Sequence, residues 1–310
     1  MRIVFMGTPY FAVPILERLV RSEHEVVGVV TQRDKPKGRG QKILPPPVKE
    51  FALHEKIAVF QPTKARDPEF IEVLRSLKFE AIVVAAYGQI LPKDILDIPS
   101  LGCINVHASL LPRFRGAAPI NWTIIRGEEK TGITAILMDE GMDTGPILLQ
   151  REIEVHPDET AESLTGRLAS LGGEVLLESL TGWQHGMISP KPQHHEGATY
   201  APKLKKEDGK INWSQSALEI SRVVRGLEPW PCAYTETNKG LLKIWKAQVI
   251  GRDESKLPGE VAEIEDDIVY VSTGSGLLAV KEVQLESRRR MSVKEFLQGH
   301  AVVKGEQWGD

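Results

Sequence analysis

The chain has 310 residues, of which 41% are hydrophobic and 26% are charged, and its formal net charge is −3. This charge excludes a molecule that is basic over its whole surface, so any contact with nucleic acid must use a local patch. Two cysteines cannot build a disulfide framework, and no apolar run reaches the roughly 20 residues of a membrane span. We therefore expect a reduced, cytoplasmic, globular protein with two domains and no membrane contact.

Short apolar strands alternate with helices over the N-terminal half of the sequence. The predicted strands are RIVFMG, EVVGVVT, residues 58–60, AIVVAA, CINVH and GITAILMD, and apolar residues at helical spacing predict helices near residues 11–19, 70–77 and 119–126. This alternation predicts an α/β fold with a doubly wound, mostly parallel sheet covered on both faces. ILLQREIEV alternates more strictly and predicts an added strand at one side. A long helix follows up to Trp183, with Thr160 as its N-cap.

The pattern changes after residue 189. Residues 190–208 are rich in Pro, Lys and Gly and have no apolar period, which predicts a linker between domains. A helix is predicted near residues 214–225, and then come short alternating runs separated by Gly and charged turns, which indicate a small β-barrel or β-sandwich. The predicted domains are therefore residues 1–189 and 209–310.

Several familiar catalytic patterns are not matched. The first strand-to-helix turn reads GTPYFA rather than G-x-G-x-x-G, and no Walker A pattern occurs, so the sequence does not favour NAD or ATP chemistry. Ser109 has no G-x-S-x-G elbow around it, and Cys103 lies inside an apolar strand, where a buried and unreactive thiol is expected. His107 and Asp143 have no third ligand at a recognisable spacing, so we expect no metal.

Polar residues follow two of the predicted strands. Asn105 and His107 are two residues apart at the end of CINVH, so their side chains point to the same side of the strand. Asp143 follows GITAILMD. If the helix at residues 119–126 is a crossover, the two strands are parallel, and the three residues meet at the carboxyl edge of the sheet. An amide, an imidazole and a carboxylate there suit oxyanion stabilisation and proton transfer in acyl-type transfer. A satisfied buried histidine beside a solvated aspartate would give the same pattern.

The segment QRDKPKGRGQK, residues 32–42, has five basic residues against one aspartate. Its glycines and proline indicate a loop rather than a helix. A basic loop at the carboxyl end of a strand suits contacts with phosphates, although a solvated loop is the commoner outcome for a run of charge.

Together these motifs resemble one family. CINVHASLLPRFRGAAPINW followed by MDEGMDTGPIL is similar to the signature of the folate-dependent formyltransferases. The motifs MGTPYFAVPIL, TQRDKPKGRGQK, AAYGQILP, YAPKLKKEDGKINWSQSA and RGLEPWPCAY resemble the branch that acts on tRNA, in family order over essentially the full chain. The resemblance implies a Rossmann-like catalytic domain and a C-terminal, OB-like barrel that binds tRNA. It also implies an enzyme of translation initiation, which moves the formyl group of 10-formyltetrahydrofolate to the α-amine of methionine on the initiator tRNA.

The resemblance also assigns roles to individual residues. It makes Asn105, His107 and Asp143 the catalytic residues, which act by direct attack of the amine without a covalent enzyme intermediate. The residues expected to bind the folate co-substrate are Ser109, Leu110, Leu111, Pro112, Tyr87, Gly88, Gln89, Ile90 and Leu91. The residues expected to bind tRNA are Arg39, Lys37, Lys42, Lys205 and Lys206. For Arg113 and Arg115 two roles stay open, namely substrate binding and anchoring of the turn.

Two alternatives compete with this hypothesis. The first is a formyltransferase that acts on a small amine, such as glycinamide ribonucleotide or an amino-sugar nucleotide. The second is an RNA-binding module without catalysis. The basic segment around Arg39 argues against the first, and the complete set of Asn105, His107 and Asp143 argues against the second. We expect a monomer.

Overall fold

A computed structural model describes residues 1–37, 42–251 and 256–309. The chain divides into two compact units, one formed by Met1–Pro119, Lys130–Glu154 and Thr165–Pro202, and the other by Ile120–Glu129, Val155–Leu164 and the residues from Lys203 onward. The segment predicted as a linker therefore lies with the first unit as far as Pro202.

Among the described residues, the first 202 form eleven strands and six α-helices. In chain order these are β1 (Arg2–Gly7), α1 (Ala12–Val20), β2 (Glu25–Val30), β3 (Lys35–Lys37), β4 (Lys42–Leu44), α2 (Pro47–His54), β5 (Val59–Phe60), α3 (Pro68–Ser76), β6 (Ala81–Ala85), α4 (Lys93–Leu96), β7 (Cys103–His107), β8 (Arg115–Gly116), α5 (Pro119–Arg126), β9 (Lys130–Leu137), β10 (Ile147–Glu154), α6 (Ala161–Gln184) and β11 (Tyr200–Ala201).

The central sheet of the first unit has seven strands in the order β10-β9-β7-β6-β1-β2-β5. The five strands from β7 to β5 are parallel to their neighbours, whereas β9 and β10 are antiparallel. All five residues of β6 are buried, as expected for a strand covered on both faces. The prediction of an α/β fold with a mostly parallel sheet is confirmed, and ILLQREIEV is the antiparallel edge strand β10.

The predicted direction of β9 is wrong. Strand β9 is antiparallel to β7, with His107 opposite Thr134 and Ile104 opposite Leu137. The connection between them returns to the edge of the sheet at which β7 ends, so α5 is not a crossover helix. The pattern of apolar residues predicts a strand but not its direction, and a short helix between two strands need not be a crossover.

From Lys203 onward the chain forms a small antiparallel domain. Its elements are α7 (Ala217–Gly226), β12 (Ala233–Thr237), β13 (Gly240–Ile250), β14 (Val261–Glu265), β15 (Ile268–Ser272), β16 (Leu277–Leu285), β17 (Met291–Ser292) and α8 (Val293–Gly299). The strands form one sheet in the order β12-β13-β16-β15-β14, and β17 pairs with β16. Ser216 and Ser292 begin α7 and α8 with capping boxes, in which each serine accepts a backbone N–H three residues on.

Hydrogen bonds link α5 and residues 155–164 to α7 within the second unit. The amide of Asn121 donates to the carbonyl of Gly226 at 2.8 Å, and Arg225 donates to the carbonyl of Glu159 at 2.7 Å. The core of the second unit includes Trp213 and Trp308, whose ring centres are 6.3 Å apart.

Candidate active site

The side chains of Asn105, His107 and Asp143 converge in the structure. Asn105 Nδ2 donates to Asp143 Oδ1 at 3.2 Å, and His107 Nδ1 lies 3.6 Å from the same oxygen. The side chains of His107 and Asp143 are 6% and 16% exposed, so this polar cluster is largely shielded from water. Since Asn105 and His107 are two residues apart on β7, one carboxylate can face both of them.

Asp143 reaches β7 through a loop rather than through the end of a parallel strand. Residues 138–146 connect β9 to β10 and fold back along them, with Leu137 N–H donating to the carbonyl of Pro146. Within this loop Asp143 has a φ of 54°, a left-handed conformation that is uncommon for residues other than glycine. The loop therefore brings the carboxylate to Asn105, although β9 is antiparallel to β7.

The second oxygen of the Asp143 carboxylate is bound by the backbone of β8. Gly116 N–H donates to Asp143 Oδ2 at 2.8 Å. Gly116 has a φ of 119°, and a Cβ atom there would lie 2.7 Å from the carbonyl oxygen of Ala201. Only glycine suits this position, and no local pattern in the sequence indicates that its N–H would be a partner of the carboxylate.

Both nitrogens of the His107 ring face hydrogen-bond acceptors. Nε2 lies 2.9 Å from the carbonyl oxygen of Phe114, and Nδ1 faces Asp143. A carbonyl oxygen and a carboxylate accept only, so a ring nitrogen that carries a hydrogen is directed at an acceptor on either side. Asn105 has two N–H groups and gives one of them to Asp143. Its other N–H is suited to bind an oxyanion on a substrate.

Residues 109–112 form a turn whose polar groups are bound within the protein. Ser109 is fully buried and donates to the carbonyl of Arg113 at 2.6 Å, so its hydroxyl is engaged in shaping the turn. Leu111 N–H donates to Thr134 Oγ1 at 3.1 Å, and Leu111 is also buried. Leu110 and Pro112 are half-buried. These two are the members of the segment with surface available to a ligand.

Residues 87–91 follow β6 at the position where the direction of winding reverses. Strand β1 is followed in sequence by β2 on one side, whereas its other neighbour is β6, and doubly wound sheets bind ligands in the crevice beside such a reversal. Thr8 Oγ1 and Gln32 Nε2 both donate to the carbonyl of Tyr87, at 2.9 and 3.0 Å. The turn after β6 is thereby tied to the ends of β1 and β2.

The five predicted ligand-binding residues of this turn differ in exposure. Tyr87 and Leu91 are buried among the core side chains under the sheet, and burial raises the pKa of the Tyr87 phenol to about 12. Gly88 and Ile90 are exposed, and Gln89 is half-buried and accepts Ala65 N–H at 2.8 Å. Gly88, Gln89 and Ile90 are thus the ones that can touch a ligand without rearrangement of the core.

The basic segment contains a short hairpin. Strands β3 and β4 pair with Lys37 opposite Lys42, and Arg39 lies outside the described residues. Lys49 Nζ donates to Asp34 Oδ2 at 2.7 Å at the base of the hairpin. Hydrogen bonds from Lys49 and Gln61 lower the pKa of Asp34.

Lys205 and Lys206, the two other predicted tRNA-binding residues, are exposed. They lie at the start of a short 3-10 helix, Lys206–Gly209, in which Lys205 N–H donates to Asp208 Oδ2 at 2.6 Å. The structure leaves both side chains on the surface of the second unit.

The side chain of Arg115 is buried and binds another side chain of the protein rather than facing solvent. It is 2% exposed, and its Nη2 donates to Gln193 Oε1 at 2.6 Å. Gln193 comes from the segment predicted as a linker, where the sequence has no periodicity that would mark it as buried. Arg113 is exposed, and its guanidinium carbon lies 5.4 Å from the centre of the Phe114 ring.

Two features are absent from the described residues, 1–37, 42–251 and 256–309. No group of three or more His, Cys, Asp and Glu side chains there is arranged to hold a metal ion. No helix there is long and apolar enough to cross a membrane.

The family of the chain follows from comparison with known proteins. The sequence model described as "Formyl transferase" matches residues 1–180, and the one described as "Formyl transferase, C-terminal domain" matches residues 203–301. The chain belongs to the formyl transferase family, so the predicted enzyme class is confirmed.

Within this family, the chain is similar over its full length to enzymes of translation initiation. It is 52% identical to the methionyl-tRNA formyltransferase of Acetivibrio thermocellus and 50% identical to that of Alkaliphilus oremlandii, with 100% of each chain covered in both comparisons. The predicted relationship to methionyl-tRNA formyltransferases is confirmed.

The fold is also similar to that of a solved structure. HypX from Aquifex aeolicus, in complex with tetrahydrofolic acid, superposes with a TM-score of 0.66 at 19% identity, over 96% of this chain and 47% of that one. At this identity the similarity concerns the fold.

Proposed function

We propose that this enzyme transfers the formyl group of 10-formyltetrahydrofolate to the α-amino group of methionyl initiator tRNA, and that Asn105, His107 and Asp143 perform the transfer. The observation that carries the assignment of the site is the convergence of Asn105 Nδ2 and His107 Nδ1 on one oxygen of Asp143, at 3.2 and 3.6 Å. Full-length similarity to methionyl-tRNA formyltransferases supports the choice of acceptor.

The proposed transfer has two steps. In the first, the lone pair of the amine forms a bond to the formyl carbon, and the π electrons of the carbonyl move to its oxygen. In the second, the carbonyl re-forms, and the bond between the formyl carbon and N10 of the folate breaks with its electron pair remaining on N10. The amine gives up one proton and N10 gains one, so a proton must be carried between the two nitrogens.

The three residues suit the demands of this transfer. The second N–H of Asn105 is proposed to donate to the oxyanion of the intermediate, and such donors commonly contribute about 3 kcal/mol to the stabilisation of a transition state. His107 is proposed to assist as a charged donor and to relay the proton. For that role its Nε2 must exchange the carbonyl of Phe114 for the substrate. Asp143 would orient the ring and balance its charge.

The folate co-substrate is proposed to lie beside residues 87–91 and 109–112. The winding reversal between β1 and β6 supports this location, because the first segment follows β6 directly and the second follows β7, the next strand in the sheet. The tetrahydrofolic acid complex of HypX supports a folate donor, since that protein shares the fold. Within the two segments the exposed or half-buried members, such as Gly88, Ile90 and Leu110, are the proposed contacts.

The acceptor is proposed to be held by the basic hairpin and by lysines of the second unit. Phosphate contacts of this kind release counterions, so the affinity for tRNA should fall as salt rises. This part of the proposal is supported by the positive charge of residues 32–42, which have five basic residues and one aspartate.

The direct experiment measures formyl transfer from 10-formyltetrahydrofolate to charged initiator tRNA, with uncharged tRNA as the control. We expect rapid transfer that His107→Ala abolishes while folate binding persists. If the wild-type protein binds folate but transfers nothing, the proposed reaction is wrong. Faster turnover of glycinamide ribonucleotide or an amino-sugar nucleotide than of the tRNA would favour a small-amine acceptor instead.

Arg39→Ala tests the acceptor half of the proposal separately. We expect a higher KM for tRNA and unchanged folate binding, because the proposed role of this residue is contact with phosphates. Arg39→Lys is the matched control, since it keeps the charge and should retain most of the affinity. Equal loss of folate binding in Arg39→Ala would contradict this division of roles.

A further inference from the structure

A buried side chain from residues 190–202 reaches the loop that contains Asp143. Gln193 is 7% exposed, and its Nε2 donates to the backbone carbonyl oxygens of Asp143 and Gly145, at 2.8 Å each. One amide group therefore fixes two carbonyls on either side of Thr144. Gln193 thus binds the backbone carbonyl of Asp143, whereas Gly116 N–H binds the Asp143 carboxylate.

A buried arginine determines the orientation of this amide. Gln193 Oε1 accepts from Arg115 Nη2 at 2.6 Å and from Arg115 Nε at 3.2 Å. A guanidinium can only donate, so the oxygen of Gln193 must face Arg115 and its NH2 group must face the two carbonyls. The ring of His195 lies on the same guanidinium, with Nδ1 3.3 Å from Nη1. If the two groups form a hydrogen bond, His195 Nδ1 is the acceptor, because the guanidinium can only donate.

Strand β8 connects both kinds of contact. Its two residues are Arg115, which holds Gln193, and Gly116, which binds the carboxylate of Asp143. The strand is itself paired with β11, where Arg115 is opposite Tyr200 and Gly116 is opposite Ala201. The carboxylate and the backbone of Asp143 are thus set by one short, paired element.

We propose that Gln193 is a positioning residue for formyl transfer, which holds Asp143 in its left-handed conformation and thereby keeps the carboxylate against Asn105 and His107. The inference rests on the catalytic role proposed above for Asp143. Gln193 acts through the loop, and Arg115 acts through Gln193. Without the NH2 donor, the two carbonyls lose their partner, and the loop is free to move the carboxylate away from β7.

Three variants separate positioning from stability. Gln193→Glu keeps an acceptor for Arg115 but removes the NH2 donor. Gln193→Met removes both functions and leaves the buried charge of Arg115 without this acceptor. The double variant Arg115→Met with Gln193→Met removes the charge as well. For each, kcat and the KM values for the folate donor and the charged tRNA are measured below the Tm, which is recorded in parallel.

We expect kcat of Gln193→Glu to fall by about 10- to 100-fold with little change in either KM, because a misplacement of about 1 Å can cost on the order of 10² in rate. Gln193→Met should lower both kcat and Tm. The double variant should recover the Tm but not kcat, since its loop still has no donor. A wild-type kcat in Gln193→Glu, or recovery of kcat together with Tm in the double variant, would overturn the proposal.

Asp143→Ala in the same assay distinguishes this inference from the proposed function. If Asp143→Ala transfers formyl groups at the wild-type rate, the proposed active site is wrong and the positioning role falls with it. If Asp143→Ala is inactive while the Gln193 variants keep the wild-type kcat, only the positioning role is wrong.

Discussion

Replacement of Asp143 by asparagine changes charge and hydrogen bonding with almost no change in shape. In the native protein Oδ1 accepts from Asn105 and faces His107, and Oδ2 accepts Gly116 N–H at 2.8 Å. Asparagine keeps one acceptor oxygen and places an NH2 group where the other oxygen was. Whichever way the amide turns, a donor then faces either Asn105 or Gly116.

The expected loss in rate follows from these contacts. A hydrogen bond to a charged group contributes about 1.5–3 kcal/mol, which corresponds to roughly 10- to 150-fold if the bond is needed in the transition state. The negative charge opposite His107 is lost as well, and acid–base assistance of this kind contributes about 10²–10⁴. Because the two effects overlap, we expect kcat of Asp143→Asn to fall by about 10²–10⁴ with small changes in KM.

The assay is single-turnover formyl transfer to methionyl initiator tRNA under saturating 10-formyltetrahydrofolate, with folate affinity measured separately. Glu140→Gln is the matched control, since it removes a carboxylate from an exposed position of the same loop and should leave kcat unchanged. A decrease of less than about tenfold in Asp143→Asn, with folate bound normally, would refute the reasoning from charge and geometry.

Four other predictions concern stability and reactivity. Tyr87→Phe should raise the free energy of unfolding by about 1 kcal/mol in urea titrations, because the buried hydroxyl has no hydrogen-bond partner among the described residues. Its folate affinity should not change, and a clear loss would mean that the hydroxyl touches the ligand. Burial raises the pKa of the Cys103 thiol to about 12. Iodoacetamide should therefore react with Cys103 far faster in the unfolded than in the native protein at mildly alkaline pH. The raised pKa values of Tyr87 and Cys103 should also make the free energy of unfolding fall as pH rises from about 9 towards 12, since the unfolded chain releases these protons first. Ser216→Ala should lower the free energy of unfolding by about 1 kcal/mol through loss of the α7 cap, and an unchanged urea midpoint would argue against that.

The sequence predicted best those elements whose buried residues follow a regular pattern along the chain. Strand β6 is buried at all five residues, and α1 buries Ile15, Leu16 and Leu19 at helical spacing, so both have a strong apolar signal. Helix α2 and the hairpin of β3 and β4 escaped prediction. The hairpin strands are three residues each, with lysine in both and Pro36 in β3, so pairing rather than composition creates them.

The candidate site divides in the same way. Asn105 and His107 could be grouped from spacing alone, because residues two apart on a strand share a face. The sequence pattern groups Asp143 with them only if β9 is parallel to β7, whereas β9 is antiparallel and a folded-back loop brings Asp143 there instead. Gln193 lies 50 residues from Asp143 and 78 from Arg115 in sequence. Contacts at that separation depend on tertiary folding, which local patterns do not record.

Several contacts hold the base of the basic hairpin, near residues 32–37 and 42, in place. Gln32 binds the turn after β6, Asp34 is tied to Lys49 and Gln61, and Lys37 pairs with Lys42 directly across the hairpin. Lys37 and Lys42 flank residues 38–41, and the contacts named here hold these two flanking residues opposite each other on paired strands. Insertions, deletions or transplanted sequences between Lys37 and Lys42 would leave the sheet and the turn after β6 in place. Sequence changes between Lys37 and Lys42 can thus be made without disturbing the fold that carries them.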